Sequence, residues 1–217
     1  MNRIKIYFLL IFAFLISCSK EKSEKSVELE KRIVGIQPYE KFSTEEAALI
    51  SSVIDSFYQL ETKVLPAKSL PKIAFTKIKS PRYRADSIIK IQNQNIPKNV
   101  YYVLGLTNED ISVTKNDKNG QILEPKWKYC DFGVMGLAYR PGKSAIVSKF
   151  RIKSKNHKME MTRLRKVAIH EFGHNLGLPH CPDKNCVMTS AAEKLTTIDN
   201  EKLALCDKCK KIINYKY

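Results

Sequence analysis

Histidine is rare in this chain. Only His157, His170, His174 and His180 occur among 217 residues, and the last three crowd into one short stretch. Acidic side chains are also few, with 22 Asp and Glu against 38 Lys and Arg, so the formal charge is +16. Such a field attracts anionic lipid, nucleic acid or acidic peptide, or simply marks a lysine-rich solvated surface. No basic run is interleaved with aromatics, so a base-stacking platform is excluded and no nucleic acid is expected as a partner. No internal repeat is present, and no apolar run reaches the length that spans a bilayer. The length predicts one domain, and 43% apolar residues suffice for a core.

The first residues do not read as fold. A basic start at Arg3 and Lys5 precedes an unbroken apolar run, Ile6 to Ile16, which ends in Leu15-Ile16-Ser17-Cys18. This reads as a signal peptide. Its last four residues resemble a bacterial lipobox, which implies cleavage before Cys18 and a lipid on its thiol. A plain N-terminal membrane helix with an incidental cysteine is the alternative. Residues 1–17 are therefore expected to be a lipoprotein signal peptide and 18–32, rich in Lys, Glu and Ser, a flexible tether. The domain is expected over 33–217, exported and lipid-anchored to a bacterial membrane on its periplasmic or surface face.

Within the domain, Ser43 and Glu46 have capping-box spacing ahead of a helix over about 44–60. Strand signals lie near Lys63-Val64-Leu65, over Val100 to Leu106, Phe132 to Tyr139 and Ser144 to Ile152, the last two split by a Pro141-Gly142 turn. Helical spacing predicts a second helix from Asp86 to Gln94 and a third from Met161 to Leu176. Beyond it the chain is irregular and cysteine-rich. This order predicts an α+β domain.

The strongest chemical signal is the run His170-Glu171-Phe172-Gly173-His174-Asn175-Leu176-Gly177-Leu178-Pro179-His180. Residues four apart on a helix share a face, so the imidazoles of His170 and His174 can reach one metal ion. Glu171 is rotated off that axis and can reach a water bound to the ion, as a base. Gly177 permits the left-handed turn that ends the helix, Pro179 prevents its resumption, and His180 folds back as third ligand. Three protein ligands leave a fourth position open for catalysis. His157 precedes this helix and fits no motif.

Four more cysteines follow: Cys181, Cys186, Cys206 and Cys209. Two close pairs, one Cys-x2-Cys, suit a closed tetrahedral zinc site or, in an exported chain, two disulfides. Cys130 stands apart, as a buried apolar residue or a thiol able to block the catalytic metal.

The string from His170 to His180 resembles the metzincin signature. With the cysteine spacing added, the pattern is similar to the archaemetzincin family position for position. That resemblance implies a metzincin-like zincin fold: a mixed twisted sheet with two helices, the second carrying the histidines, above a small zinc-stabilised C-terminal subdomain. It implies two zinc ions, one catalytic on His170, His174 and His180, and one structural on Cys181, Cys186, Cys206 and Cys209. It places Met188, the only methionine after His180, in a turn beneath the catalytic metal. It also implies peptide-bond hydrolysis, with peptide substrates lying extended along an edge strand. Softer matches at Val103–Asp110, Phe132–Ala138 and Ser148–Arg151 look like the strand and edge-strand regions of the family. Thr189-Ser190-Ala191 departs from it, lacking the usual aromatic after the methionine. Two rivals remain: a strict aminopeptidase, for which the sequence offers no evident carboxylate near the cleft, and a silent zinc-binding module, for which Glu171 would be superfluous.

Overall fold

The computed structural model describes residues 32–190 and 194–213. The signal peptide, nearly all of the tether and the lipidation site Cys18 lie outside them. Among the described residues no helix is long and apolar enough to cross a membrane.

The chain runs β1 (Val34–Pro38), α1 (Thr44–Tyr58), β2 (Thr62–Val64), β3 (Phe75–Thr76), β4 (Arg82–Arg84), α2 (Ala85–Gln94), β5 (Tyr102–Thr107) and β6 (Ile111–Val113). It continues through α3 (Lys126–Tyr129), β7 (Phe132–Val134), β8 (Gly136–Ala138), β9 (Ser144–Ser148), α4 (His157–Asn175), α5 (Leu195–Asn200) and α6 (Asp207–Ile212). The main sheet has the order β2-β1-β5-β9-β8. Its first four strands are parallel, and β8 joins antiparallel as an edge. Parallel strands covered on both faces must be apolar on both faces. Accordingly β1, β5 and β9 are buried throughout. On one face Leu104, Leu106, Ala145 and Val147 pack with Ile50 and Ile54 of α1 and Leu164, Ala168 and Phe172 of α4. On the other, Ile146 packs with Ile88 and Ile89 of α2.

Helix ends follow their local chemistry. Ser43 caps α1 by accepting from the Glu46 amide at 3.2 Å. The expected reciprocal arm is not made, because the Glu46 carboxylate turns to Lys149 Nζ at 2.6 Å. The helix α4 begins four residues before its expected start, because Asn156 accepts from the Met159 amide at 3.2 Å and caps it. His157 is thus the first helical residue rather than a residue before the helix. It is exposed.

Two further expectations need correction. Phe132 to Tyr139 is not one strand: the chain breaks at Met135, so β7 joins a second sheet and β8 the first. The region Ser148–Arg151 is not at the edge, since Ser148 ends the interior strand β9 and a turn follows. The second helix, Ala85–Gln94, lies within one residue of its expected bounds, and a strand precedes it. That strand, β4, belongs to the second sheet, ordered β3-β4-β6-β7, which no sequence pattern announced. A buried ionic network stands behind it. Arg82 reaches Asp110 at 3.3 Å and Asp131 at 3.7 Å, and Arg151 binds Asp110 through two bonds of 2.7 and 2.9 Å. Charges this buried are stable only when paired in this way.

Candidate metal centres and active-site cleft

The histidine site starts with the end of α4. Gly177, at φ +99°, lets its amide bond His174 O at 2.9 Å while the Leu178 amide bonds Gly173 O at 3.0 Å. This is the Schellman pattern that glycine makes possible, and it reverses the chain toward His180. Asn175 then clamps the β8–β9 turn, donating to Tyr139 O at 2.9 Å and Ser144 O at 3.0 Å. The sequence reading gave Asn175 no role.

His170, His174 and His180 come together, one ring nitrogen of each lying within 4.8 Å of the others. His170 Nδ1 faces Val187 O at 2.8 Å, and His174 Nδ1 faces Leu178 O at 2.7 Å. A carbonyl can only accept, so both Nδ1 atoms carry the proton and both Nε2 atoms present lone pairs. Yet these two Nε2 atoms stand 3.1 Å apart. Two facing lone pairs repel unless a cation lies between them. Tetrahedral ligands at a zinc–nitrogen distance of about 2.0–2.1 Å stand about 3.3 Å apart, so the spacing suits zinc. Burial pushes His170 down to about 3, helped by His174 beside it, and burial also lowers His174 and His180. Neutral imidazole is the ligating form. The donor set therefore fits the metal.

Glu171 lines the cleft beside these rings. Burial pushes its carboxyl up to about 8, and a nearby dication would act in the opposite sense. Gly136 on the edge strand makes room for it, because a Cβ there would lie 2.5 Å from Glu171 Cγ. Gly136→Ala is expected to displace the carboxylate and lower kcat/KM by about 10²-fold, the usual cost of a 1 Å misplacement. Elemental analysis should find its zinc content unchanged. Below the site, Met188 is fully buried, and its Sδ would lie 2.6 Å from a Cβ on Gly173. Gly173 thus lets the methionine pack against α4.

The four cysteines gather as thiols, not disulfides. Cys181 and Cys206 sulfurs are 3.6 Å apart, those of Cys186 and Cys209 3.8 Å, and all four lie within 4.8 Å of one another. A disulfide needs about 2.05 Å. A tetrahedron of thiolates with zinc–sulfur distances of about 2.3 Å has edges of about 3.8 Å, so this set also fits zinc. The cluster ties the loop after His180 to the C-terminal segment. Along that loop Cys181 N donates to Met188 O at 2.8 Å, and Val187 N donates to Ala204 O at 2.9 Å. The same Val187 orients His170. The cysteine cluster is therefore linked mechanically to the histidine cluster.

Cys130 is half-buried at the end of α3, with Sγ 3.8 Å from Trp127 O, so it is not the fully buried residue expected. It does not line the cleft. A third group, Glu46, His157 and Glu160, converges like a metal site. Its centre is taken by Lys149 Nζ, at 2.6 Å from Glu46 and 3.1 Å from Glu160.

The cleft has a volume of about 480 Å³ and runs under β7 and β8 along α4. Its far wall holds two residues the sequence reading missed, Ile198 and Glu201. Both are held by α4: Lys166 Nζ donates to Ile198 O, Asp199 O and Glu201 O, and Arg163 binds Asp199 through two bonds of 2.7 Å. No spacing rule links Glu201 to the histidines; only the three-dimensional path of the loop does.

Comparison with known proteins agrees with this geometry. The model of peptidase family M54 matches residues 41–215. The archaemetzincin of Methanopyrus kandleri is 30% identical over 172 residues, covering 76% of this chain and 88% of that protein. That of Haloarcula marismortui is 26% identical over 187 residues, covering 82% and 97%. The crystal structure of the Methanopyrus kandleri archaemetzincin superposes with a TM-score of 0.68 at 26% identity, over 86% of this chain and 96% of that one. The Archaeoglobus fulgidus archaemetzincin, complexed with malonate, gives 0.66 at 24% identity over 83% and 99%. With a family match over most of its length and a three-histidine site that fits zinc, the chain belongs to peptidase family M54, the archaemetzincins, and is a zinc metallopeptidase.

Proposed function

We propose that His170, His174 and His180 hold the catalytic zinc, that Glu171 is the general base, and that Cys181, Cys186, Cys206 and Cys209 hold a second, structural zinc. The observation that carries this reading is the convergence of three imidazoles beside Glu171 in an open cleft. Zinc bound there supplies Lewis acidity, polarising a peptide carbonyl and making water easier to deprotonate. The chain's own groups supply the rest. An extended peptide pairs with the edge of β8, which among the described residues bonds only to β9. Glu171 takes a proton from the attacking water as its oxygen bonds to the carbonyl carbon. It returns that proton to the nitrogen as the C–N bond breaks. The Val187 and Leu178 carbonyls keep the histidine Nδ1 atoms protonated and their Nε2 lone pairs turned inward.

A cleft open beside β8 favours internal cleavage over strict trimming from the N-terminus. Zinc-loaded protein is expected to cleave N-acetylated peptides, to lose this on chelation and to regain it with zinc. Cleavage of free-amine peptides alone would establish the aminopeptidase reading instead.

We also propose that the chain is exported and held at a bacterial membrane by a lipid on Cys18, on the strength of the apolar run and lipobox-like Leu15-Ile16-Ser17-Cys18. Labelled palmitate should enter the full chain in a bacterial host and not its Cys18→Ser variant; equal labelling would end this proposal.

A further inference from the structure

Glu201 is a buried carboxylate with no hydrogen-bond partner for Oε2. Only 4% of the residue is exposed, and what remains open faces the cleft that holds the histidines. A buried, unpaired charged group is costly unless something satisfies it. The nearest cation does not. Lys166 Nζ has three donors, and all three go to the backbone carbonyls of Ile198, Asp199 and Glu201. Arg163 is taken up by Asp199. Burial therefore pushes the Glu201 carboxyl up to about 8, with Lys166 only partly offsetting it. The backbone that carries Glu201 is fixed at both sides, by Lys166 and by the bond from its own amide to Thr197 O at 3.0 Å. A carboxylate held so rigidly and left unpaired is preorganised for a partner that arrives from the cleft.

The walls around it say what that partner is. Val167 of α4, one turn before His170, and Ile198 line the cleft together with Glu201. Apolar lining combined with a carboxylate matches a long aliphatic stem with a cationic tip. We propose that Glu201 is a specificity residue of this peptidase, accepting the ammonium or guanidinium of a lysine or arginine side chain next to the scissile bond. A substrate's α-amino group carries the same charge but no stem to lie against the apolar lining, so the side chain is the better fit. The proposal rests on the peptidase reading above.

The test compares lysine with norleucine, which keeps the stem and lacks the ammonium. Full-length, zinc-loaded protein is given N-acetylated, C-amidated peptides differing only in this residue at each position flanking the scissile bond, with products mapped by mass spectrometry. At one position kcat/KM should favour lysine by about tenfold or more, the worth of one hydrogen bond to a charged group. In Glu201→Gln the ratio should fall toward one; being a ratio within one variant, it is insensitive to how much of that variant is folded. A second readout needs no turnover: the Glu171→Gln protein should bind the lysine peptide about tenfold more tightly than the norleucine peptide, and the Glu171→Gln, Glu201→Gln double variant should not. Equal treatment of lysine and norleucine in turnover and binding, or a preference that survives Glu201→Gln, overturns the proposal. So does a gain that tracks a free N-terminus in neutral peptides instead of the side chain. Absence of cleavage with the binding preference intact would count against the peptidase reading and leave the Glu201 assignment supported.

Discussion

Glu171→Gln is expected to lower kcat/KM on peptides by about 10²- to 10⁴-fold while leaving fold and metal content intact. The range is that of a positioned proton-transfer group. Glutamine has nearly the same shape, so the space opened by Gly136 still accommodates it. Its amide cannot take the proton of the attacking water, and that is the only function removed. The histidines keep their carbonyl partners at Val187 and Leu178, so the zinc site should persist. Steady-state kinetics beside zinc analysis separates the two possibilities. Near-normal turnover with full zinc would remove Glu171 from the mechanism. Loss of zinc would make it a structural group.

The second large effect concerns the cysteines. Cys209→Ser is expected to release one zinc and to unfold the segment from Cys181 onward, or the whole domain, at 37 °C. Structural zinc contributes about 10–16 kcal/mol in small thiolate sites, comparable with the whole stability of a domain at about 5–15 kcal/mol. The described segment after His180 has little else to hold it: α5 and α6 have six residues each. Of its buried members, Val187 and Leu205 lie beside the pinned cysteines, while Ile198 is held in addition by Lys166. Since Val187 also orients His170, the damage should reach the catalytic site, and activity should fall with stability. Thermal melts with and without chelator read this directly. An unchanged melting temperature would mean that apolar packing alone holds the segment.

What could be read from the sequence was what is local. The histidine run encodes a helix face, a glycine-ended turn and a returning ligand within eleven positions, each fixed by backbone geometry over a few residues. The cysteine spacing suited either zinc or disulfides, and only the family resemblance favoured zinc. In the structure, sulfur distances of 3.6 and 3.8 Å match the zinc alternative. What was not legible depends on distant partners. The second sheet is built from strands of two and three residues bearing Arg82 and Arg84, whose burial rests on Asp110 and Asp131, far along the chain. No periodicity marks such strands. The break at Met135 was hidden because one apolar run serves two sheets. Glu201 resembles any surface glutamate in sequence and becomes a cleft residue only because Lys166 and Arg163 fold its loop against α4.

This chain is expected to build two zinc sites, one of imidazoles and one of thiolates. Zinc per chain, measured by elemental analysis on the wild type, His174→Ala and Cys209→Ser proteins, tests it most directly. Two zincs in the wild type, one in His174→Ala and at most one in Cys209→Ser is the expected result. A single zinc in the wild type, with the four cysteines paired as disulfides, or no zinc after reconstitution, would contradict it.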